Sequence, residues 1–314
     1  MACRVERETY PQMRGARLAA KGRRGGRLRP SFAYHRPATL EEACRLLAAE
    51  PRAAVLAGGT DLMVHLRQPQ RGKRPPAVVN VKRLPGLAEI HPRADTIRIG
   101  ALATLAALIE HPVIQAEYPV LPFTARYMGS PAIRHLATVG GNLCNASPAA
   151  DLPPVLLTLD AEIEIVGPSG PRRLPLDRFF RGPGQTALAP GEILAWIEFP
   201  RRHAGWVLRY ERLDVRRAMD IAIAGVALAL RRDGLRVAEA RVALGAVAPV
   251  PLRVPEAETA LVAGGLHPNA IERAVELAMA AARPIDDVRA TAEYRRAMVG
   301  VLVRRAFAAL PADG

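Results

Sequence analysis

Two glycine pairs carry the most suggestive chemistry in this chain. Gly58-Gly59 lies within Ala57-Gly58-Gly59-Thr60-Asp61-Leu62, after a short apolar run at 53–56 and before a helix-like segment. A strand, a glycine turn and a helix in that order leave successive backbone amides free to point at an anion, which is what a phosphate needs. Gly140-Gly141 offers a second unhindered backbone, flanked by Thr138 and Asn142, whose polar side chains suit phosphate or sugar. Neither pair is the GxGxxG fingerprint of the ordinary dinucleotide fold. Taken alone, a Gly-Gly pair more often makes a tight turn than a ligand cradle. Two of them, each beside a hydroxyl or amide side chain, are better explained by one extended pyrophosphate ligand.

Other chemistries find little support. The seven histidines (His35, His65, His91, His111, His135, His203 and His267) show no metal-ligand spacing. There is no Gly-x-Ser-x-Gly elbow and no Walker loop. Cys3, Cys44 and Cys144 form an odd set without zinc-like spacing, which argues against a disulfide framework and for a reducing, cytoplasmic setting. Cys44 falls on a predicted helix and reads as core, whereas Cys144 follows the second glycine loop.

The elements that must position the glycine pairs are legible in outline. Thr39-Leu40-Glu41-Glu42 has capping-box spacing, predicting a helix from there to about Ala49. Short strands are expected at 53–56, 77–81 and 96–99, and helices at 105–110 and 121–127. The alternation at 162–166, followed by Gly167-Pro168-Ser169-Gly170, reads as a hairpin, and a strand at 192–199 closes this half. Beyond Pro200-Arg201-Arg202 the pattern changes to three strand-like runs at 206–212, 221–231 and 237–246, then three helices at 255–262, 268–282 and 290–310. Three strands followed by three helices predict an α+β layer.

The charge is uneven. The chain of 314 residues carries 44 Lys+Arg against 30 Asp+Glu, but only three are lysines. Residues 1–30 hold nine basic and two acidic residues, +7 of the total +14. This segment lacks apolar periodicity and reads as a disordered basic tail. It lacks the apolar core of a secretory signal. The remaining charge is ordinary for a globular protein with an anionic ligand, so specific nucleic-acid binding is not expected. No run of 18 apolar residues exists, which excludes a membrane-spanning helix.

The motifs occur in a telling order: Ala57 to Leu62, then Ser130-Pro131-Ala132-Ile133-Arg134, then Thr138 to Leu143, then Ala146-Ser147-Pro148-Ala149-Ala150-Asp151, then Gly182-Pro183-Gly184-Gln185-Thr186 before Pro190-Gly191-Glu192-Ile193-Leu194. Together they resemble the FAD-binding medium subunit of the molybdenum hydroxylases, the family of carbon monoxide dehydrogenase and bacterial xanthine dehydrogenase. The resemblance covers residues 32–310. It implies a two-part FAD-binding domain of the PCMH, or vanillyl-alcohol-oxidase, type over residues 31–200, followed by a three-strand, three-helix C-terminal domain over 204–310. It also implies that Val55, Leu56, Ala57, Gly58, Gly59, Thr60, Asp61 and Leu62 wrap the pyrophosphate. Thr138, Val139, Gly140, Gly141 and Asn142 would hold the phosphates and ribityl chain from the other side. Asp151 matches a carboxylate that contacts the cofactor. Leu194 and Arg212 match two cofactor-lining positions, Arg212 standing where relatives usually have Lys; Leu194 is equally readable as a buried strand residue. Met128 aligns with an aromatic of the animal xanthine enzymes, a thioether taking the ring's place.

The implied activity is that of an electron-transfer flavoprotein subunit, working with a large molybdenum-cofactor subunit and a small iron–sulfur subunit as a heterotrimer or its dimer. Three cysteines are too few to ligate a cluster here. The competing reading, a stand-alone FAD-dependent oxidoreductase, would need an acid/base constellation over the flavin that the sequence does not display.

Overall fold

A computed structural model describes residues 32–67, 74–201, 206–216 and 219–311. The basic segment 1–30 lies outside the described residues. The N-terminal part is built on two sheets. In the first, the short strands β1 (Ala33–His35), β2 (Ala54–Leu56) and β3 (Ala77–Asn80) pair in parallel, with β3 in the middle. Helix α1 (Leu40–Ala49) connects the first two. Its cap forms as the spacing predicts: Thr39 Oγ1 accepts from the Glu42 amide at 3.2 Å, and Glu42 Oε2 reaches back to the Ala38 amide at 2.7 Å. Ala43, Cys44 and Leu47 turn inward against Val79 and Val81, so Cys44 is a core residue.

The second sheet is antiparallel, ordered β4 (Ile90–Pro92), β5 (Thr96–Gly100), β10 (Ile193–Pro200), β6 (Glu162–Gly167) and β7 (Gly170–Pro175). The expected hairpin joins β6 to β7 across Pro168-Ser169, with Gly167 opposite Gly170. Ile97, Ile99, Ile163, Ile165 and Ile197 alternate onto one face. There they pack under helices α3 (Leu105–Glu110), α5 (Val120–Arg126) and α8 (Leu152–Thr158) in one core.

The C-terminal layer differs from expectation by one strand. Strands β11 (Trp206–Leu213), β12 (Ala224–Asp233) and β13 (Arg236–Gly245) form a meander, and β14 (Leu252–Arg253) adds a fourth, two-residue strand beside β13. So short a pairing carries no alternating pattern to read in the sequence. Helices α9 (Pro255–Gly264), α10 (Pro268–Ala281) and α11 (Ala292–Ala308) cover one face of β12 and β13, burying Val226, Leu228, Leu230, Val242 and Leu244. Ala227 and Ala243 face the other way, into the core shared with α8. A strand covered on both faces reads as a continuous apolar run, as residues 224–230 do.

Candidate functional site

The two glycine pairs converge. They line one cavity of about 390 Å³, within the range of small-molecule sites. Of the residues anticipated from sequence, Val55, Ala57, Gly58, Gly59, Thr60, Asp61, Leu62, Met128, Thr138, Gly140, Gly141, Asn142 and Leu194 lie on its wall. Leu56, Val139, Asp151 and Arg212 do not.

The first loop runs from the end of β2 to helix α2 (Leu62–Arg67). Gly59 holds φ at +78°, a left-handed backbone that favours glycine. Among the described residues, no amide of Gly58, Gly59, Thr60, Asp61 or Leu62 donates a hydrogen bond. These five successive amides border the cavity with their donors unspent. Gly58 has a different task, because a Cβ there would sit 2.1 Å from the Leu136 carbonyl oxygen. It lets the two halves of the wall meet.

The second glycine pair is not a turn. Residues Val139–Asn145 form helix α7, capped by Thr138, whose Oγ1 accepts from the Gly141 amide at 3.0 Å. Val139 N donates to Ala103 O and Gly140 N to Ala101 O, both at 2.9 Å, and Asn142 N donates to Thr138 O at 3.0 Å. The amides of residues 139–142 are therefore all engaged, so this backbone has no donor left for a phosphate. A Cβ at Gly140 would lie 2.5 Å from Ala101 Cβ, so that glycine serves close packing against β5's end. What this loop offers the cavity is side chains. Asn142 Oδ1 is buried, faces no hydrogen-bond donor among the described residues, and belongs to a wall residue. An orphaned buried acceptor of this kind calls for a ligand donor. Five open amides and an unpartnered amide oxygen lining one cavity fit a phosphate-bearing ligand with sugar-type hydroxyls.

Asp151 and Arg212 engage one another instead of the cavity. Arg212 Nη1 lies 2.9 Å from Asp151 Oδ2, Tyr210 donates its hydroxyl to Asp151 Oδ1 at 2.7 Å, and Arg212 Nη2 donates to the Asp220 carbonyl at 2.9 Å. Both charged side chains are under one-tenth exposed. Burial pushes the Asp151 carboxyl above its ordinary value, opposed by the Arg212 guanidinium. Arg212 also stacks 4.9 Å from the Tyr127 ring centre, one residue away from the wall residue Met128. This network ties the C-terminal layer to the N-terminal part behind the cavity.

Sequence reasoning passed over much of the wall, including His65, Gly129, Ile133, Asn145, Leu188 and Glu192. Cys144 is also there, and burial pushes its thiol up to about 12, which favours the neutral thiol over the thiolate. The nearness of Cys144 and Asn145 to the second glycine pair was the available signal. Glu192 stands in the quoted motif two residues before Leu194, whereas Leu188 comes from a distant segment and gave none. Among the described residues no cluster of His, Cys, Asp or Glu is arranged to hold a metal ion, and no helix is long and apolar enough to cross a membrane.

Residues 30–202 match the family described as the FAD binding domain in molybdopterin dehydrogenase, and residues 210–310 match the CO dehydrogenase flavoprotein C-terminal domain. The carbon monoxide dehydrogenase medium chain of Hydrogenophaga pseudoflava is 34% identical over 279 residues, covering 88% of this chain and 96% of that relative. The xanthine dehydrogenase FAD-binding subunit of Escherichia coli O157:H7 is 35% identical over 276 residues, with 87% and 93% covered. Among solved structures, a carbon monoxide dehydrogenase from Hydrogenophaga pseudoflava that lacks the Mo-pyranopterin moiety superposes with a TM-score of 0.85 at 34% identity, covering 90% of this chain and 98% of that one. Quinoline 2-oxidoreductase from Pseudomonas putida 86 superposes with a TM-score of 0.82 at 29% identity, covering 89% and 96%. With both of its parts matched and these relatives spanned almost end to end, the chain belongs to the FAD-binding subunit family of the molybdopterin dehydrogenases, and is an oxidoreductase flavoprotein whose cofactor is FAD.

Proposed function

We propose that this chain is the electron-transfer subunit of a molybdenum-containing hydroxylase, taking electrons from iron–sulfur clusters of a partner and passing them to an external acceptor. The observation that carries the site assignment is the run of five undonated amides from Gly58 to Leu62 on the same cavity wall as the unpartnered Asn142 oxygen. In this reading the amides of the first loop hold the pyrophosphate. Asn142 Oδ1 accepts from a ribityl hydroxyl, and the Thr138 hydroxyl, which already accepts from Gly141, keeps its own proton to donate. Met128 and Leu194 supply apolar cover for the ring, and the buried Asp151–Arg212 pair supports that wall from behind. Bound FAD supplies the redox chemistry, and the protein supplies binding, orientation and electrostatics.

The need for partners follows from composition. The whole chain has three cysteines, fewer than the four thiolates a cluster ordinarily takes. A large molybdenum subunit and a small iron–sulfur subunit, assembled with this chain as a heterotrimer or its dimer in the cytoplasm, complete the unit. The experiment is anaerobic mixing of the purified FAD-loaded chain with candidate substrates, with and without the two partner subunits. Bleaching of the flavin absorbance is expected only when both partners are present. Bleaching of the isolated chain by an organic substrate would overturn the subunit reading in favour of a self-sufficient flavoenzyme.

A further inference from the structure

Of the motif Ser130-Pro131-Ala132-Ile133-Arg134, only Ile133 has entered the site as described so far. It forms helix α6 (Pro131–Arg134), a single turn with Ser130 as its cap: Ser130 Oγ accepts from the Ile133 amide at 3.3 Å. At the end of that turn Arg134 folds back across the preceding chain. Its Nη1 donates to three carbonyl oxygens, of Arg126 at 3.1 Å, Met128 at 3.3 Å and Gly129 at 2.7 Å. These carbonyls belong to the end of α5 and the chain leaving it, where the last helical C=O groups have no amide within the helix to serve. A cation is the natural partner for them.

Two further details make this a clamp on the cavity wall. Gly129 holds φ at +57°, and a Cβ there would meet Ile133 Cγ2 at 2.7 Å, so the turn is closed tightly onto α6. Met128, Gly129 and Ile133 all line the cavity, whereas Arg134 does not. One guanidinium thus fixes the carbonyls of two wall residues and stands one position from a third. We propose that Arg134 is a positioning residue for the FAD site: by holding the carbonyls of Arg126, Met128 and Gly129 it sets where the Met128 and Gly129 stretch of wall meets the cofactor. The inference rests on the FAD assignment made above. A lysine offers an ammonium without the planar fork, so it replaces only part of this function.

The test compares Arg134→Gln, Arg134→Lys, Met128→Ala and the double variant Arg134→Gln/Met128→Ala in the full chain, purified with whatever partners accompany it. FAD affinity is read by titrating FAD into cofactor-stripped protein, and the ring's surroundings by the visible absorption bands of the loaded protein. Arg134→Gln is expected to weaken FAD binding about tenfold, as befits lost hydrogen bonds from a charged donor, and to shift the flavin bands. Arg134→Lys should recover part of both. In the Met128→Ala background the effect of Arg134→Gln should shrink by about half or more, because coupled residues are not additive. Strictly additive effects, or unchanged affinity and spectrum in Arg134→Gln, would overturn the proposal. So would unfolding of both the Gln and Lys variants, seen by circular dichroism, since Arg134 would then hold the fold rather than the wall. Failure of the unsubstituted protein to bind FAD is a separate result, which would overturn the FAD reading and this inference with it.

Discussion

The two glycine loops look alike in sequence and do opposite things in the structure. At residues 57–62 the backbone itself is the functional surface: Gly59 adopts a left-handed conformation and five consecutive amides remain without acceptors among the described residues. At residues 139–142 the amides are consumed by the Thr138 side chain and carbonyl and by the carbonyls of Ala101 and Ala103, and the loop presents side chains to the cavity. Gly-Gly therefore signals either a conformation or a close approach. The difference lies in where the amides go, not in the glycines.

The largest effects should come from the glycines that pack. Gly140→Ala puts a Cβ 2.5 Å from Ala101 Cβ, and Gly58→Ala puts one 2.1 Å from the Leu136 carbonyl oxygen. Each should cost about 3 kcal/mol of stability, the scale of an overpacked core, measured by denaturant unfolding of the cofactor-stripped chain. Because the cost belongs to the fold, it should persist without FAD. A stable Gly140→Ala protein that merely loses FAD would break the comparison.

Gly59→Ala should behave in the reverse sense. Its Cβ would meet the flexible Leu56 Cδ1 at 2.9 Å, and the main penalty is the left-handed φ, about 1 kcal/mol. Relieving that strain rotates the amides of the cradle, so FAD affinity should fall about tenfold while the melting temperature changes little, read by titration and thermal unfolding side by side.

Thr138 sharpens the comparison from the other loop. Thr138→Val removes the cap of α7 and should cost about 1 kcal/mol, with Thr138→Ser restoring most of it in the same unfolding assay.

The smallest effect is a pH signature from outside both loops. Glu192, also on the cavity wall, is held below the ordinary glutamate value chiefly by its hydrogen bonds from Arg172, at 2.7 Å. A carboxyl lowered in the folded state contributes stability above its unfolded value, and loses it as pH falls through the folded value. The wild-type chain should therefore lose stability as pH drops below about 4.5, and Glu192→Gln should flatten that part of the profile.

How much of this was legible follows the same physics. The Thr39 cap, the 162–175 hairpin and the C-terminal meander were readable because local rules decide them: a capping spacing, a Pro-Ser turn between glycines, and a turn at Gly234, which holds φ at +54°. Helix α7 was hidden, since two glycines lower helix propensity and the amides of Val139 and Gly140 are satisfied only by the distant carbonyls of Ala103 and Ala101. The fourth C-terminal strand depends on pairing with β13 and has no pattern of its own. The cofactor roles assigned by resemblance to Asp151 and Arg212 meet a structure in which the two pair with each other, a partnership spanning 61 residues of sequence that no motif displays. Arg134 was visible as part of a motif, but its three carbonyl acceptors exist only once the chain turns at Gly129.

The most direct test of the division between the loops uses two ligands that differ in their phosphates. FAD and riboflavin are each titrated into the cofactor-stripped chain carrying Gly59→Ala or Asn142→Leu. If the first loop holds pyrophosphate by its amides and the second holds the ribityl chain by its side chain, Gly59→Ala weakens FAD about tenfold and leaves riboflavin unchanged, while Asn142→Leu weakens both by the same factor. An equal loss of FAD and riboflavin in Gly59→Ala, or a loss confined to FAD in Asn142→Leu, would contradict the account.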